Sequence, residues 1–221
     1  MWGLRLRRLL QGRQLRQGAL RNCWQVPLPS TSSDWREVSF LAVDGEMSAL
    51  DPADGELLSL GWVAIDGGAI HLDSARHILA RPRQSVGQSA AIHNLRDCEF
   101  DSAQDPGEVL DALLQAAQGR ALVFHNARLD LAFLDEIARE RHGAPLLMPV
   151  VDTLLLEEAL MRRRDQPIRQ GDLRLQGCRD RYGLPRAAAH NALVDALATA
   201  ELLLAHATHR GGPSLGALLA P

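Results

Sequence analysis

Apolar residues along this chain keep two different rhythms, and the switch between them outlines its elements. From Phe40 to Val43 they run without a break and stop at Asp44. A segment that is apolar on both alternating faces suits the middle of a covered sheet, so a central strand is expected over residues 38–44. Residues 57–66 and 69–79 read as two more strands, joined by a short turn at Gly67 and Gly68. The spacing turns helical over residues 106–117, where Val109, Leu110, Leu113 and Leu114 share one side. A short buried strand follows at 121–124, then a helix over 127–140. Residues 149–151 lead into another helix, 172–182 form one more, and the last runs over 191–206. Strands come first and then alternate with helices, which predicts an α/β domain built on a mixed sheet.

Composition narrows the class. No apolar run approaches the roughly 20 residues that a membrane span needs, so no membrane contact is expected. The formal net charge of −3 leaves no global basic footprint, and any nucleic-acid contact must be local. Cys23, Cys98 and Cys178 are odd in number and lack CxxC spacing, which predicts reduced thiols in a cytoplasmic, bacterial-type compartment. The one charge anomaly is the N-terminus. Arg5, Arg7, Arg8, Arg13, Arg16 and Arg21 precede the first acid, Asp34. This segment reads either as a solvated, loosely docked helix or as a basic arm for phosphate or a partner protein. With residues 27–33 as a linker, the expected organisation is an arm and linker over 1–34, a domain over 35–207 and a short tail over 208–221.

Four acids stand where acids are out of place. Asp44 and Glu46 are two apart, so in an extended chain both point to one side. Asp130 lies between Leu129 and Leu131. Asp195 sits on a helix whose i−3, i+3, i+4 and i+7 neighbours are Ala192, Ala198, Thr199 and Leu202. A buried carboxylate needs a partner or it neutralises. One such acid could be an ion pair or a cap, yet no arginine lies within a helical turn of Asp44 or Asp195. Four together favour divalent cations. Oxygen ligands without a cysteine pair or an HExxH suit Mg²⁺ or Mn²⁺, and two such ions about 4 Å apart form a clamp for phosphodiester hydrolysis. His190, just ahead of the helix that carries Asp195, is the natural base for the attacking water.

The stretches VDGEM (43–47), HNARLD (125–130) and HNALVD (190–195) resemble the three motifs of the DEDDh, or DnaQ-like, 3′–5′ exonucleases. That family includes the epsilon proofreading subunit of bacterial DNA polymerase III and RNase T. The resemblance covers roughly residues 35–206. It implies an RNase H-like fold, a five-stranded mixed sheet flanked by helices. It also implies that a single-stranded DNA 3′ end is bound and that nucleoside 5′-monophosphates leave. Carried over by position, Asp44, Glu46, Asp130 and Asp195 become the metal ligands, and His190 the histidine of the subfamily. Gly45 stands where the family usually has threonine, and Leu129 where it commonly has phenylalanine.

The resemblance extends to the substrate. Gly45, Met47 and Leu50 follow or join the first motif and flank the terminal base, with core packing as the competing role for Met47 and Leu50. His93 matches a position near the bound nucleotide, against a plain loop histidine. His125 and Asn126 contact substrate, orient the second motif, or are buried with hydrogen bonds. Asp152 is expected as a helix N-cap. Candidate partners are a polymerase or another replication or repair protein, while the short tail favours an enzyme that stands alone. RNA 3′ ends, including short oligoribonucleotides, stay open as the substrate. A non-catalytic nucleic-acid-binding module of the same fold is the alternative from a different class.

Overall fold

The computed structural model describes residues 1–82, 103–188 and 191–219. Its centre is a five-stranded mixed sheet of β1 (Phe40–Met47), β2 (Leu57–Asp66), β3 (Ala69–Leu79), β4 (Ala121–Phe124) and β5 (Val150–Asp152). The spatial order is β3-β2-β1-β4-β5. β1–β2 and β2–β3 are antiparallel, β1–β4 and β4–β5 parallel. The β2–β3 hairpin closes on two residues only. Gly67 and Gly68 both take positive φ, 60° and 75°, which a two-residue turn of matching twist requires. β1 is the hinge of this topology, antiparallel on one side and parallel on the other, and the expected mixed sheet is what forms.

Strand alternation sorts the core into two layers. Leu41 and Val43 of β1, Leu60, Trp62 and Ala64 of β2, and Leu122 and Phe124 of β4 share one layer. That layer packs on α2 (Ala19–Gln25), α3 (Pro106–Ala116) and α4 (Ala127–His142) through residues such as Leu20, Leu113 and Phe133. Phe40, Ala42, Val63, Ile65, Ala121 and Val123 form the other. It is covered by α5 (Thr153–Arg163), α7 (Ala192–His209) and α8 (Leu215–Leu219), through Leu156, Leu203 and Leu218. The short α6 (Leu175–Asp180) and α1 (Trp2–Gln11) complete the helices among the described residues. None of them is long and apolar enough to cross a membrane.

Two boundaries differ from the sequence expectation. β1 starts later than residue 38 because Asp34 accepts the Arg36 N–H (2.9 Å) and caps a 3₁₀ turn at Trp35–Glu37. It also runs on to Met47, so Asp44 and Glu46 lie inside a paired strand, opposite Gly61 and Ser59. The chain ends differ more. Beyond α1, Leu15, Leu20 and Cys23 enter the core, the Cys23 thiol donates to the Leu114 carbonyl (2.9 Å), and Trp24 Nε1 donates to that of Leu146 (2.8 Å). The Arg8 guanidinium is nearly buried, donating to the Leu147 carbonyl (2.8 Å) and lying over the Trp24 ring. These anchors are scattered among arginines, so no apolar period announced them. At the other end, α8 folds back after α7: Leu215 and Gly216 donate backbone bonds to Ser33 and Thr31. The linker and the tail therefore hold each other.

Candidate active site

The site forms where β1, α7 and α4 meet. Alternation turns Asp44 and Glu46 to the face of β1 that carries Phe40 and Ala42, the face covered by α7. Asp195 is in the first turn of α7, which Asn191 starts by accepting the Val194 N–H on its side-chain oxygen (3.2 Å). Carboxylate oxygens of Asp44, Glu46 and Asp195 converge, all within 4.8 Å of one another. The approach depends on Gly61. It pairs with Asp44 across β1–β2, and a Cβ there would overlap the Leu193 amide nitrogen and the Ala192 carbonyl of α7. Without a side chain at Gly61, the helix start lies directly on the strand. Sequence reading missed this residue, although a lone glycine in the apolar run LLSLGWVAID is the usual sign of such an approach.

Asp130 arrives from the opposite layer. It is in the first turn of α4, buried, and Oδ1 accepts the Gly45 N–H at 3.0 Å. Asp130 is therefore tied to the backbone between the two β1 acids and is not one of the converging three. The glycine has a visible consequence here. A Cβ on Gly45 would stand 2.8 Å from Met47 Cε and 3.3 Å from Asp130 Oδ1, so Met47 occupies the room a larger residue would claim.

Burial and neighbouring negative charge raise the pKa values of two of these acids, Asp44 and Asp130. Desolvation, then the charges of Asp130, Asp195 and Glu46, push Asp44 well above the usual carboxylate range. Desolvation raises Asp130 to about 8, although the Gly45 N–H opposes it. The Ser59 hydroxyl, paired in register with Glu46, is buried with no hydrogen-bond partner among the described residues. A cluster of hard oxygen donors whose charges repel, beside an orphaned hydroxyl, fits a hard divalent cation such as Mg²⁺ or Mn²⁺.

The remaining predicted residues separate. Met47 is 7% exposed and belongs to the core, whereas Leu50 is 84% exposed beyond the strand end. His125 is engaged within the fold. Its Nε2 lies 2.9 Å from the Leu173 carbonyl, which can only accept, so Nε2 carries the proton. Burial lowers its pKa and keeps the ring neutral, with Nδ1 2.9 Å from the Thr153 hydroxyl, which itself donates to the Phe124 carbonyl (3.0 Å). These bonds correspond to the hydrogen-bonded alternative expected for His125. Asn126 adopts a left-handed conformation (φ 76°, ψ 53°) ahead of α4, with an exposed side chain that does not cap the helix. His190 and His93 lie outside the described residues. Asp152 does more than the predicted N-cap. It accepts the Leu154 N–H (3.0 Å) at α5 and the Asn126 and Ala127 N–H groups (3.0 and 2.9 Å) at α4, joining two helix starts.

Known proteins resemble this chain in sequence and in fold. An exonuclease family model matches residues 41–203. A PolC-type DNA polymerase III of Thermotoga maritima is 28% identical over 79% of this chain, which spans only 12% of that protein's length. A DNA polymerase III subunit epsilon of Treponema pallidum is 26% identical over 81% of this chain and 85% of its own. Among solved structures, E. coli exonuclease I in complex with a dT13 oligonucleotide superposes with a TM-score of 0.67 at 15% identity, over 79% of this chain and 42% of that one. The likeness shows a shared RNase H-like fold.

Proposed function

This chain belongs to the exonuclease family, and from that premise we propose that it removes nucleotides from single-stranded 3′ ends of DNA, releasing nucleoside 5′-monophosphates. The observation that carries the reading is the convergence of Asp44, Glu46 and Asp195 on one face of β1, with Asp130 locked to the backbone between the first two. In this reading the three carboxylates, with Asp130, hold two Mg²⁺ or Mn²⁺ ions. Bound there, the cations would lower the pKa of a water and stabilise the charge that develops on the phosphate and the leaving oxygen. His190 takes the proton of the attacking water; in sequence it immediately precedes Asn191, which starts α7, and stands five residues ahead of Asp195. Asp130 fixes the β1 backbone, and Gly61 fixes the spacing of α7 to β1. As water adds to phosphorus, the bond to the upstream 3′ oxygen breaks, and that oxygen leaves with the shortened strand.

The oligonucleotide complex of exonuclease I, on the same fold, supports a single-stranded DNA substrate. The polymerase III names of the bacterial relatives support a replicative polymerase as partner and the bacterial cytoplasm as location. The family match supports residues 35–207 as the catalytic domain, flanked by 1–34 and 208–221. Digestion of 5′-labelled single-stranded DNA with Mg²⁺ or Mn²⁺ tests the reading, with duplex carrying a 3′ mismatch and RNA alongside. A ladder shortening from the 3′ end is expected, falling more than about 100-fold in Asp44→Asn and Asp195→Asn. A ladder that persists in either variant rules out the assigned site, and faster cleavage of RNA moves the substrate to RNA ends.

A further inference from the structure

A second feature lies on the same edge of the sheet. The parallel register Ala42↔Val123 and Phe124↔Asp152 brings the carboxyl ends of β1, β4 and β5 to one side. Beyond β4 and β5 a cleft of about 440 Å³ opens. Asn126 stands at its β4 side, Leu154 at the start of α5, and Ile168, Arg169, Leu173 and Arg174 on the segment before α6. Arg169 and Arg174 are exposed, and neither guanidinium has an ion pair or hydrogen bond among the described residues. The nearest acid in sequence, Asp172, turns its Oδ2 to the Arg169 backbone N–H (2.8 Å) instead. Through its bond to the Leu173 carbonyl, His125 pins this segment to the end of β4, so the cleft is held by the same strand end that leads into α4 and Asp130.

We propose that this cleft is an upstream subsite for the nucleic-acid strand, with Arg169 and Arg174 on the phosphodiester groups 5′ to the scissile bond. The proposal rests on the exonuclease reading above. Two strand spacings, about 10 Å, separate β1 from β5, which is within reach of the next nucleotides of an extended single strand. Two unpaired guanidinium groups supply the phosphate contacts. The exposed Asn126 amide offers hydrogen bonds to a base or sugar, and Leu154, Ile168 and Leu173 offer an apolar wall. A strand so gripped would be held against slipping while its 3′ end is presented to the carboxylates. The net charge of −3 is no obstacle, because the contact is local.

Two measurements on the full chain test this. The first is anisotropy of a 5′-labelled oligothymidylate in EDTA, for the parent and for Arg169→Ala combined with Arg174→Ala. We expect about tenfold weaker binding and a salt slope lower by about 1.4, the value for two phosphate contacts on a single strand. The second compares hydrolysis of that oligonucleotide with hydrolysis of the para-nitrophenyl ester of thymidine 5′-monophosphate, in which nitrophenol stands where the upstream nucleotide would. The ratio of kcat/KM for oligonucleotide over ester should fall about tenfold. Affinity and ratio both within twofold of the parent would overturn the proposal, and would leave an acidic segment of a partner protein as the better occupant. Equal loss on both substrates would overturn it too, since the arginines would then act at the scissile nucleotide or on the fold. If the parent cleaves neither substrate, the exonuclease reading fails, while the anisotropy still decides whether this cleft holds a strand.

Discussion

At the scale of single residues, the acids were legible in the sequence because each is out of keeping with its neighbours. Asp44 ends an apolar run, Asp130 stands between leucines, and Asp195 lies on a helix apolar nearly all round. Their division of labour was not legible. Three carboxylates converge from the α7 side, while Asp130 comes through the other layer to the Gly45 N–H. That difference follows from which face of β1 each residue meets, and neighbours in sequence carry no trace of it. Gly61 is the companion case, since its glycine was visible but its partner, the start of α7, lies more than 130 residues on. Gly61→Ala would force the α7 backbone away, because neither the Leu193 amide nor the Ala192 carbonyl can rotate aside. A displacement of about 1 Å at a catalytic cluster costs on the order of 100-fold in rate, and the overpacking about 1–3 kcal/mol in stability. Nuclease rate and urea unfolding of Gly61→Ala measure both. A rate within twofold of the parent would show that the close approach has no part in positioning Asp195.

At the scale of elements, the sequence pattern located β1 to β4 and a helix near each of α3 to α7, while residues 149–151 were expected only to lead into a helix and β5 was not read there; the pattern gave no account of what fixes one element against another. Much of that is done by buried polar groups. Asp152 joins the starts of α4 and α5. Glu157 of α5, fully buried, accepts from the Tyr182 hydroxyl and pairs with His206 of α7, each at 2.6 Å, and with Arg181 at 2.9 Å. Arg179 of α6, 2% exposed, donates to the Ala198 carbonyl of α7 (2.7 Å) and the Pro185 carbonyl (2.8 Å), and pairs with Glu201 (2.7 Å). Arg179 therefore ties α6 both to α7 and to the segment that leads into it. Arg179→Met keeps most of the volume but removes the hydrogen bonds to both carbonyls and the Glu201 pair, and is expected to lose about 2–4 kcal/mol by urea unfolding. Arg179→Lys retains the charge but not the fork, and should recover only part of that loss. Equal stability of all three proteins would mean that apolar packing alone holds α6 on α7.

At the scale of the whole molecule, the chain spends stability to assemble its carboxylates, and pH exposes the cost. Two docked ends close the body: the anchors Leu20, Cys23 and Trp24 at the front, and α8 on the 31–34 segment at the back. Neither was legible, because the anchoring residues are few and their partners remote. Desolvation raises the pKa values of both Asp44 and Asp130, and at Asp44 the charges of Asp130, Asp195 and Glu46 add to it. An unfolded aspartate titrates near ~3.9, whereas Asp130 holds its proton up to about pH 8 in the fold. Between those values the folded chain binds more protons than the unfolded one, so metal-free stability falls as pH rises. Groups shifted the other way act lower on the scale. Buried His125 stays neutral below its ordinary 6.5, and Glu157, with its pKa lowered by His206, Tyr182 and Arg181 against desolvation, matters only below 4.5. The window from about pH 6.5 to 8 therefore belongs to the acid cluster. In EDTA, the Tm should drop by several degrees across that window. Saturating Mn²⁺ or Mg²⁺ should raise it, and more at pH 8 than at 6.5, because the cation binds the ionised carboxylates of the native state. Asp44→Asn should melt higher than the parent in EDTA at pH 8, since it removes a repelling charge, and should respond little to the cation. A Tm that is flat with pH and indifferent to both ions would mean that the carboxylates do not form the centre of negative charge on which the proposed chemistry depends.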